Sequence, residues 1–317
     1  MSRTLANRSS AFFLDGFYSS LSMMGRMLPW STPSRYGVEV TKNVSYGPHG
    51  AANHLDIWRL KDAEGPLPVV LYIHGGGFRA LHKETHWLMA LMLARSGYLV
   101  VNINYRLSPE HSYPSHIQDA CAAWLWTLDH AGEYGGDTSR TVIAGESAGA
   151  NLTMALTIAC CYPRPEPWAK AVYDAGVVPR VVAPACGIFQ VSDADRYRRA
   201  GLTNRFAQSV MNDCEDCYLP EDEQRANPGL ADPVCIIEQE DPTRPLPPAF
   251  LPVGGDDPLK EDNRRLNRAL AARGVHTMER VYPGEPHAFH ALIFRKAARQ
   301  CWKEMLAFMD GPTRSDD

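Results

Sequence analysis

Thr141-Val142-Ile143-Ala144-Gly145-Glu146-Ser147-Ala148-Gly149-Ala150-Asn151-Leu152 decides how the chain is read. Val142 to Ala144 form a short apolar run, as in a buried strand, and Gly145-Glu146-Ser147-Ala148-Gly149 follows without a spacer. From Ala150 the period becomes helical, with Leu152, Ala155, Leu156 and Ala159 at steps of three and four. A strand that turns into a helix at G-x-S-x-G is a nucleophile elbow. Its two glycines carry no Cβ to collide with the neighbouring strand or helix. The turn lifts the Ser147 hydroxyl above the sheet edge and sets the N–H of Ala148 at a helix N-terminus, where it can face developing negative charge.

Upstream, Val69-Val70-Leu71-Tyr72-Ile73 reads as a strand buried on both faces and runs directly into His74-Gly75-Gly76-Gly77-Phe78. Three consecutive glycines mark a backbone that must approach something closely. The N–H groups of Gly76 and Gly77, with that of Ala148, suit an oxyanion hole, each donor supplying about 3 kcal/mol of transition-state stabilisation. His74 sits on the strand side of the glycines and is expected to shape the loop rather than act as a base.

Bulk composition bounds the function. The 317 residues are 45% hydrophobic and 21% charged, with a formal net charge of −4. Mixed charges give no electrostatic case for nucleic acid or an anionic membrane. No run of eighteen apolar residues occurs, so no integral membrane association is expected. The eight scattered cysteines suggest reduced thiols and a cytoplasmic location rather than a disulfide framework. Cys214 and Cys217 have metal-ligand spacing but no companion pair or histidine cluster, so no metal is expected there.

Val38 to Tyr46 and Asn53 to Leu60 read as two strands joined by the turn residues Gly47 to Gly50. A helix from Leu88 to Ser96, a strand from Tyr98 to Ile103 and a helix from Ser115 to Ala131 follow. Strands alternating with helices argue for an α/β fold with a mostly parallel sheet covered on both faces. Residues 11 to 28 carry a helical apolar stripe, either a core-covering helix or a mobile cap.

Three motifs in order, His74-Gly75-Gly76-Gly77, Tyr105-Arg106-Leu107-Ser108-Pro109-Glu110-His111 and Gly145-Glu146-Ser147-Ala148-Gly149, resemble the bacterial hormone-sensitive-lipase-like esterases from about residue 65 to 300. The resemblance implies an α/β-hydrolase fold with a helical cap, no cofactor, and hydrolysis of small-molecule carboxylic esters of short or medium acyl chain by a Ser-Asp-His triad. It implies an N-terminal cap segment over 1–44, a catalytic core over 45–191 and 248–317, and a cap insertion over 192–247. It leaves room for a homodimer through an edge strand or the last helix (Ala291 to Met309).

The triad members should follow in the order Ser, acid, His. A strand is expected over Val177 to Phe189. Another, Ala249 to Gly255, delivers Asp256-Asp257-Pro258-Leu259, and the family acid directly before Pro-Leu selects Asp257, with Asp256 left as a solvated or helix-capping carboxylate. After a helix from Pro258 to Arg273 and a strand from His276 to Tyr282, Pro283-Gly284-Glu285-Pro286-His287-Ala288-Phe289 aligns His287 as the base. Ala288 stands where the family has glycine and fits if its φ is negative. His290 is expected in the final helix, in a structural role, and Glu146 is expected to anchor the elbow beneath Ser147. Tyr105 and Asp119 read as scaffold.

The competing readings are a receptor-like binding protein on the same fold, an amide or formamide hydrolase with the same triad, and a lipase acting at an oil interface. The first lacks a working histidine in its known form, whereas His287 is present. The second tends to carry Trp where Phe78 stands. An aspartate-nucleophile hydrolase is excluded by Ser147.

Overall fold

The computed structural model describes residue 25, residues 31–201 and residues 204–314. The expected helical stripe over 11 to 28 lies outside the described residues apart from Gly25. Eight strands form one sheet: β1 (Val38–Ser45), β2 (His54–Leu60), β3 (Leu67–Ile73), β4 (Leu99–Ile103), β5 (Gly136–Glu146), β6 (Val181–Ala185), β7 (Ala249–Gly254) and β8 (Thr277–Tyr282). Their spatial order is β1-β2-β4-β3-β5-β6-β7-β8. β1 pairs antiparallel with β2, and β2 antiparallel with β4; every other neighbouring pair is parallel.

Alternation along β3 shows why both faces are covered. Val69, Leu71 and Ile73 enter one apolar cluster, Val70 and Tyr72 the other. The first cluster is closed by α2 (Ser115–His130), α3 (Ala148–Cys161) and α4 (Pro167–Asp174). The second is closed by α1 (Trp87–Ala94) and the final helix. α3 is buried along its whole length, so its sequence is apolar or small all round rather than amphipathic.

The strand expected over Val177 to Phe189 is shorter, Val181 to Ala185. Pro179 precedes it, and Cys186 takes φ +41°, which turns the chain out of the extended region immediately after Ala185. Between β6 and β7 the chain forms α5 (Asp195–Arg199), α6 (Arg205–Tyr218), α7 (Asp222–Ala226) and α8 (Pro233–Gln239). α8 contributes Val234, Ile236 and Ile237 to the first cluster. α6 adds Met211 and Tyr218 to the same cluster and also meets the glycine loop: the Arg79 guanidinium, just beyond that loop, pairs with Asp213 at 3.3 Å. α9 (Lys260–Ala272) and α10 (Lys296–Arg314) complete the chain. Among the described residues no helix is long and apolar enough to cross a membrane.

Candidate active site

The parallel strands deliver their C-terminal ends to one edge of the sheet, where open α/β sheets gather their chemistry. β5 ends at Glu146 and α3 begins at Ala148, so Ser147 alone makes the turn, at φ +53° and ψ −118°. A non-glycine residue there is strained. It is held by its N–H, which donates to the Ala185 carbonyl at 2.9 Å. The flanking glycines explain themselves by distance. A Cβ on Gly145 would lie 2.6 Å from the carbonyl oxygens of Ile73 and Gly149, and one on Gly149 only 2.1 Å from that of Ile73. β3 therefore passes in backbone contact with the elbow.

That contact places the loop after β3 beside Ser147. A Cβ on Gly75 would fall 3.3 Å from the Ser147 Cβ. Gly76 and Gly77 take φ +120° and +60°, and a Cβ on Gly76 would sit 2.0 Å from the Ala80 carbonyl oxygen. Phe78 closes the loop by stacking on Tyr218 of α6, ring centroids 3.8 Å apart. Its carbonyl accepts from the Ser108 N–H, 2.9 Å, and meets the His116 Nε2 at the same distance. A Cβ on Gly77 would lie 3.0 Å from the Cys214 sulfur of α6, so this helix borders the loop.

His74 does what its position suggests. Its Nδ1 meets the Gly75 carbonyl oxygen at 2.7 Å and its ring stacks on Tyr105 at 4.3 Å, while the Tyr105 hydroxyl donates to the His74 carbonyl at 2.9 Å. Burial, then the neighbouring His86, pushes the His74 imidazole down to about 3, so it stays neutral. Asp119 grips Arg106 through the side chain at 2.8–3.0 Å and the backbone N–H at 2.8 Å. Both Tyr105 and Asp119 are thus framework.

Asp257 and Asp256 part company after β7. Asp256 is exposed. The Asp257 side chain is fully buried, and its Oδ1 accepts from the Leu259 N–H at 2.8 Å. Gly254 lets the turn after β8 close over this point, since a Cβ there would be 2.2 Å from the Glu285 carbonyl oxygen. The turn carries His287, whose Nδ1 stands 2.8 Å from Asp257 Oδ2 and whose Nε2 stands 3.0 Å from Ser147 Oγ. Burial alone would lower the His287 imidazole; the Asp257 carboxylate outweighs it, and the net is a rise above 6.5. The side chain keeps 37% of its surface, and solvent through that opening screens the pair and limits the rise.

Two expectations need correcting. Ala288 does not have a negative φ: it sits at φ +54° and ψ +29°, the left-handed conformation. Leaving that region would swing His287 away from Asp257, so the alanine carries a strain of about 1–2 kcal/mol that glycine would not. Its methyl packs against the small cluster of Ala185, Cys186 and Val253, which offsets part of it. His290 is not in the final helix, which begins at Lys296. It lies on a 3-10 turn, Phe289 to Ala291, and points under the elbow.

There it meets Glu146, the expected anchor, together with His86, which sequence reasoning missed. Glu146 is clamped by the Tyr72 hydroxyl at 2.9 Å, by His290 Nε2 at 2.9 Å and by His86 Nε2. Burial would raise the Glu146 carboxyl; His86 and His290 together hold it well below the carboxylate range. His86 in turn is lowered by burial but raised on balance by Glu146. The elbow anchor is therefore an ion pair, and nothing in the spacing of His74 and His86 announces it.

The fold agrees with known proteins. A family model described as alpha/beta hydrolase fold matches residues 70–291. The chain belongs to that family. It is 42% identical over 265 residues to a probable carboxylic ester hydrolase, LipM, of Mycobacterium tuberculosis (81% of this chain, 57% of that protein). It is 30% identical over 276 residues to Esterase LipQ of the same organism (84% and 61%), and 31% identical over 222 residues to an acetyl esterase of Salmonella enteritidis (69% and 64%). The chain thus spans 57–64% of the length of these relatives. Among solved structures, a bacterial heroin esterase superposes with a TM-score of 0.80 at 25% identity, over 97% of this chain and 93% of that one. Brefeldin A esterase, described as a bacterial homologue of human hormone-sensitive lipase, gives 0.76 at 25% identity, over 98% and 85%. The expected kinship with hormone-sensitive-lipase-like esterases is borne out by this set.

Proposed function

We propose that the chain is a serine carboxylesterase that hydrolyses short- to medium-chain carboxylic esters through an acyl-enzyme, with Ser147, His287 and Asp257 as its triad. The observation that carries this reading is the hydrogen-bonded row from Ser147 Oγ through both ring nitrogens of His287 to a buried carboxylate, 3.0 and 2.8 Å long. In the resting form Nδ1 bears the proton, which Asp257 accepts, and Nε2 is free to take the proton of Ser147 as its oxygen attacks the ester carbonyl. The N–H groups of Gly76, Gly77 and Ala148 face the oxyanion of the tetrahedral intermediate, each supplying about 3 kcal/mol. His287 then returns the proton to the leaving alcohol. Water, deprotonated by the same nitrogen, attacks the acyl carbonyl and regenerates Ser147.

In the same reading, residues 192–247 cap the core; of the cap segment expected over 1–44, residues 38–44 lie instead in β1 of the sheet, and residues 1–24 and 26–30 lie outside the described residues. Support comes from α6, which borders the glycine loop through Cys214 and lines a cleft of about 250 Å³ with Asn204, Ala207, Gly255 and Asp257. The limit on acyl length would then lie in cap residues, where one methylene is worth about 1–3 kcal/mol.

The test is a series of p-nitrophenyl esters from acetate to palmitate, with wild type beside Ser147→Ala. The expected outcome is a maximum at short or medium chains and a folded, inactive variant. Turnover retained by Ser147→Ala would remove the nucleophile assignment, and a maximum at palmitate would remove the chain-length assignment.

A further inference from the structure

The chain ends of three adjacent strands bring together side chains of three different donor types. Cys186 follows β6, Asp257 follows β7 and His287 follows β8. One ligand atom from each lies within 4.8 Å of the others, and among the described residues no other group of three or more such atoms is so close. The cysteine is 1% exposed, and its backbone is fixed by its N–H, which donates to the Pro252 carbonyl at 3.0 Å.

A tetrahedral zinc ion with sulfur at about 2.3 Å and nitrogen and oxygen near 2.0–2.2 Å holds its ligands roughly 3.3–3.6 Å apart. Nδ1 and Oδ2, now 2.8 Å apart, would need to separate by only about 0.5 Å. Thiolate and carboxylate together cancel the charge of a divalent ion, so no net charge is buried. One thiolate, one imidazole and one carboxylate favour zinc-like ions over magnesium or calcium, which require oxygen ligands. Cys214 and Cys217, the pair with metal-ligand spacing in the sequence, lack a third ligand among the described residues, and the Arg79 guanidinium beside them opposes a cation.

We propose that Cys186, Asp257 and His287 form a three-ligand site for a zinc-type divalent ion, completed by water, and that occupancy switches the esterase off. Binding releases the Cys186 thiol proton to solvent, and the single proton of the neutral His287 imidazole passes from Nδ1 to Nε2. With the metal on Nδ1, a neutral imidazole carries its proton on Nε2 and cannot accept one from Ser147. Inhibition is therefore by tautomer, without blocking the path of the ester. The switching half of this proposal rests on the esterase reading; the binding half does not.

The experiment uses the full chain, stripped with chelator, as wild type, Cys186→Ala and Cys186→Gly; the glycine variant keeps the positive φ without strain. Co²⁺ is titrated first, followed by absorbance. A thiolate-to-cobalt charge-transfer band is expected in wild type and absent from both variants, whether or not any ester is turned over. Zn²⁺ inhibition is then measured relative to each protein's own metal-free rate. It should be reversed by chelator, unaffected by Mg²⁺, and weaker in the variants by more than the ~10–100-fold that partners outside the coordination shell command. Wild type without the band, or variants as sensitive to Zn²⁺ as wild type, would overturn the site. A band without loss of ester turnover would overturn the switch. A wild type that shows the band but hydrolyses no ester would instead overturn the functional reading.

Discussion

Replacing Glu146 with glutamine removes one charge from the enclosed cluster beneath Ser147 and leaves the side chain's shape intact. The carboxylate accepts from Tyr72, His290 and His86. In the variant the oxygen facing Tyr72 and His290 can remain an acceptor, whereas the amide nitrogen meets His86. His86 must then change tautomer, its Nδ1–H turning to the Thr85 hydroxyl at 2.8 Å. Three charge-assisted bonds of about 1.5–3 kcal/mol thus become neutral ones of about 0.5–1.5, a difference near 1.25 each and about 4 kcal/mol in all. The pH dependence has a definite sign. Glu146, depressed in the folded state, contributes above its ordinary 4.5, and His86, raised in the folded state, contributes fully below its ordinary 6.5 and loses that contribution as pH rises through its folded value. The stability gap between wild type and Glu146→Gln, measured by urea unfolding, should therefore be widest between these two values and narrow above them. A gap under about 1 kcal/mol near pH 6, or one that widens towards alkaline pH, would refute the ion-pair description.

Other consequences are direct. Asp257→Asn should leave the fold unchanged and lower kcat by about 10⁴, because the amide can donate to Nδ1 and hold the wrong tautomer; single-turnover kinetics would read this. Esterase kcat/KM should fall as pH drops through the His287 value, which lies above 6.5, and a half-maximal point below 6.5 would contradict the coupling to Asp257. Gly149→Ala puts a methyl 2.1 Å from the Ile73 carbonyl oxygen, between two backbones that cannot yield, so destabilisation at or beyond the upper end of about 1–3 kcal/mol is expected in urea unfolding.

What could be read from the chain beforehand follows a physical division. The elbow, the glycine loop and Asp257 before Pro-Leu are local patterns, since the backbone geometry they serve is made by neighbours in sequence. The order of strands and helices was legible for the same reason: buried parallel strands such as Val69 to Ile73 are continuous apolar runs. Contacts between elements were not legible. His86, Glu146 and His290 meet under the elbow from three separate parts of the chain (the start of α1, the end of β5 and the 3-10 turn after β8), and Cys186 reaches His287 only because β6, β7 and β8 lie side by side. Ala288 fails for a subtler reason. Its conformation is dictated by the position His287 must occupy, which overrides the backbone preference of the alanine itself.

The separation of Ser147 from His287, 140 residues along the chain, has a temporal side. At about 5–20 residues per second, a ribosome makes the serine roughly 7 to 28 s before the histidine. Through that interval the growing chain owns a nucleophile and nothing to deprotonate it. β8 is the sheet's last strand both in space and in synthesis, and His287 rides on the turn that follows it. On the proposed mechanism the hydroxyl is armed only when that edge strand docks, so unfinished chains are harmless to cellular esters.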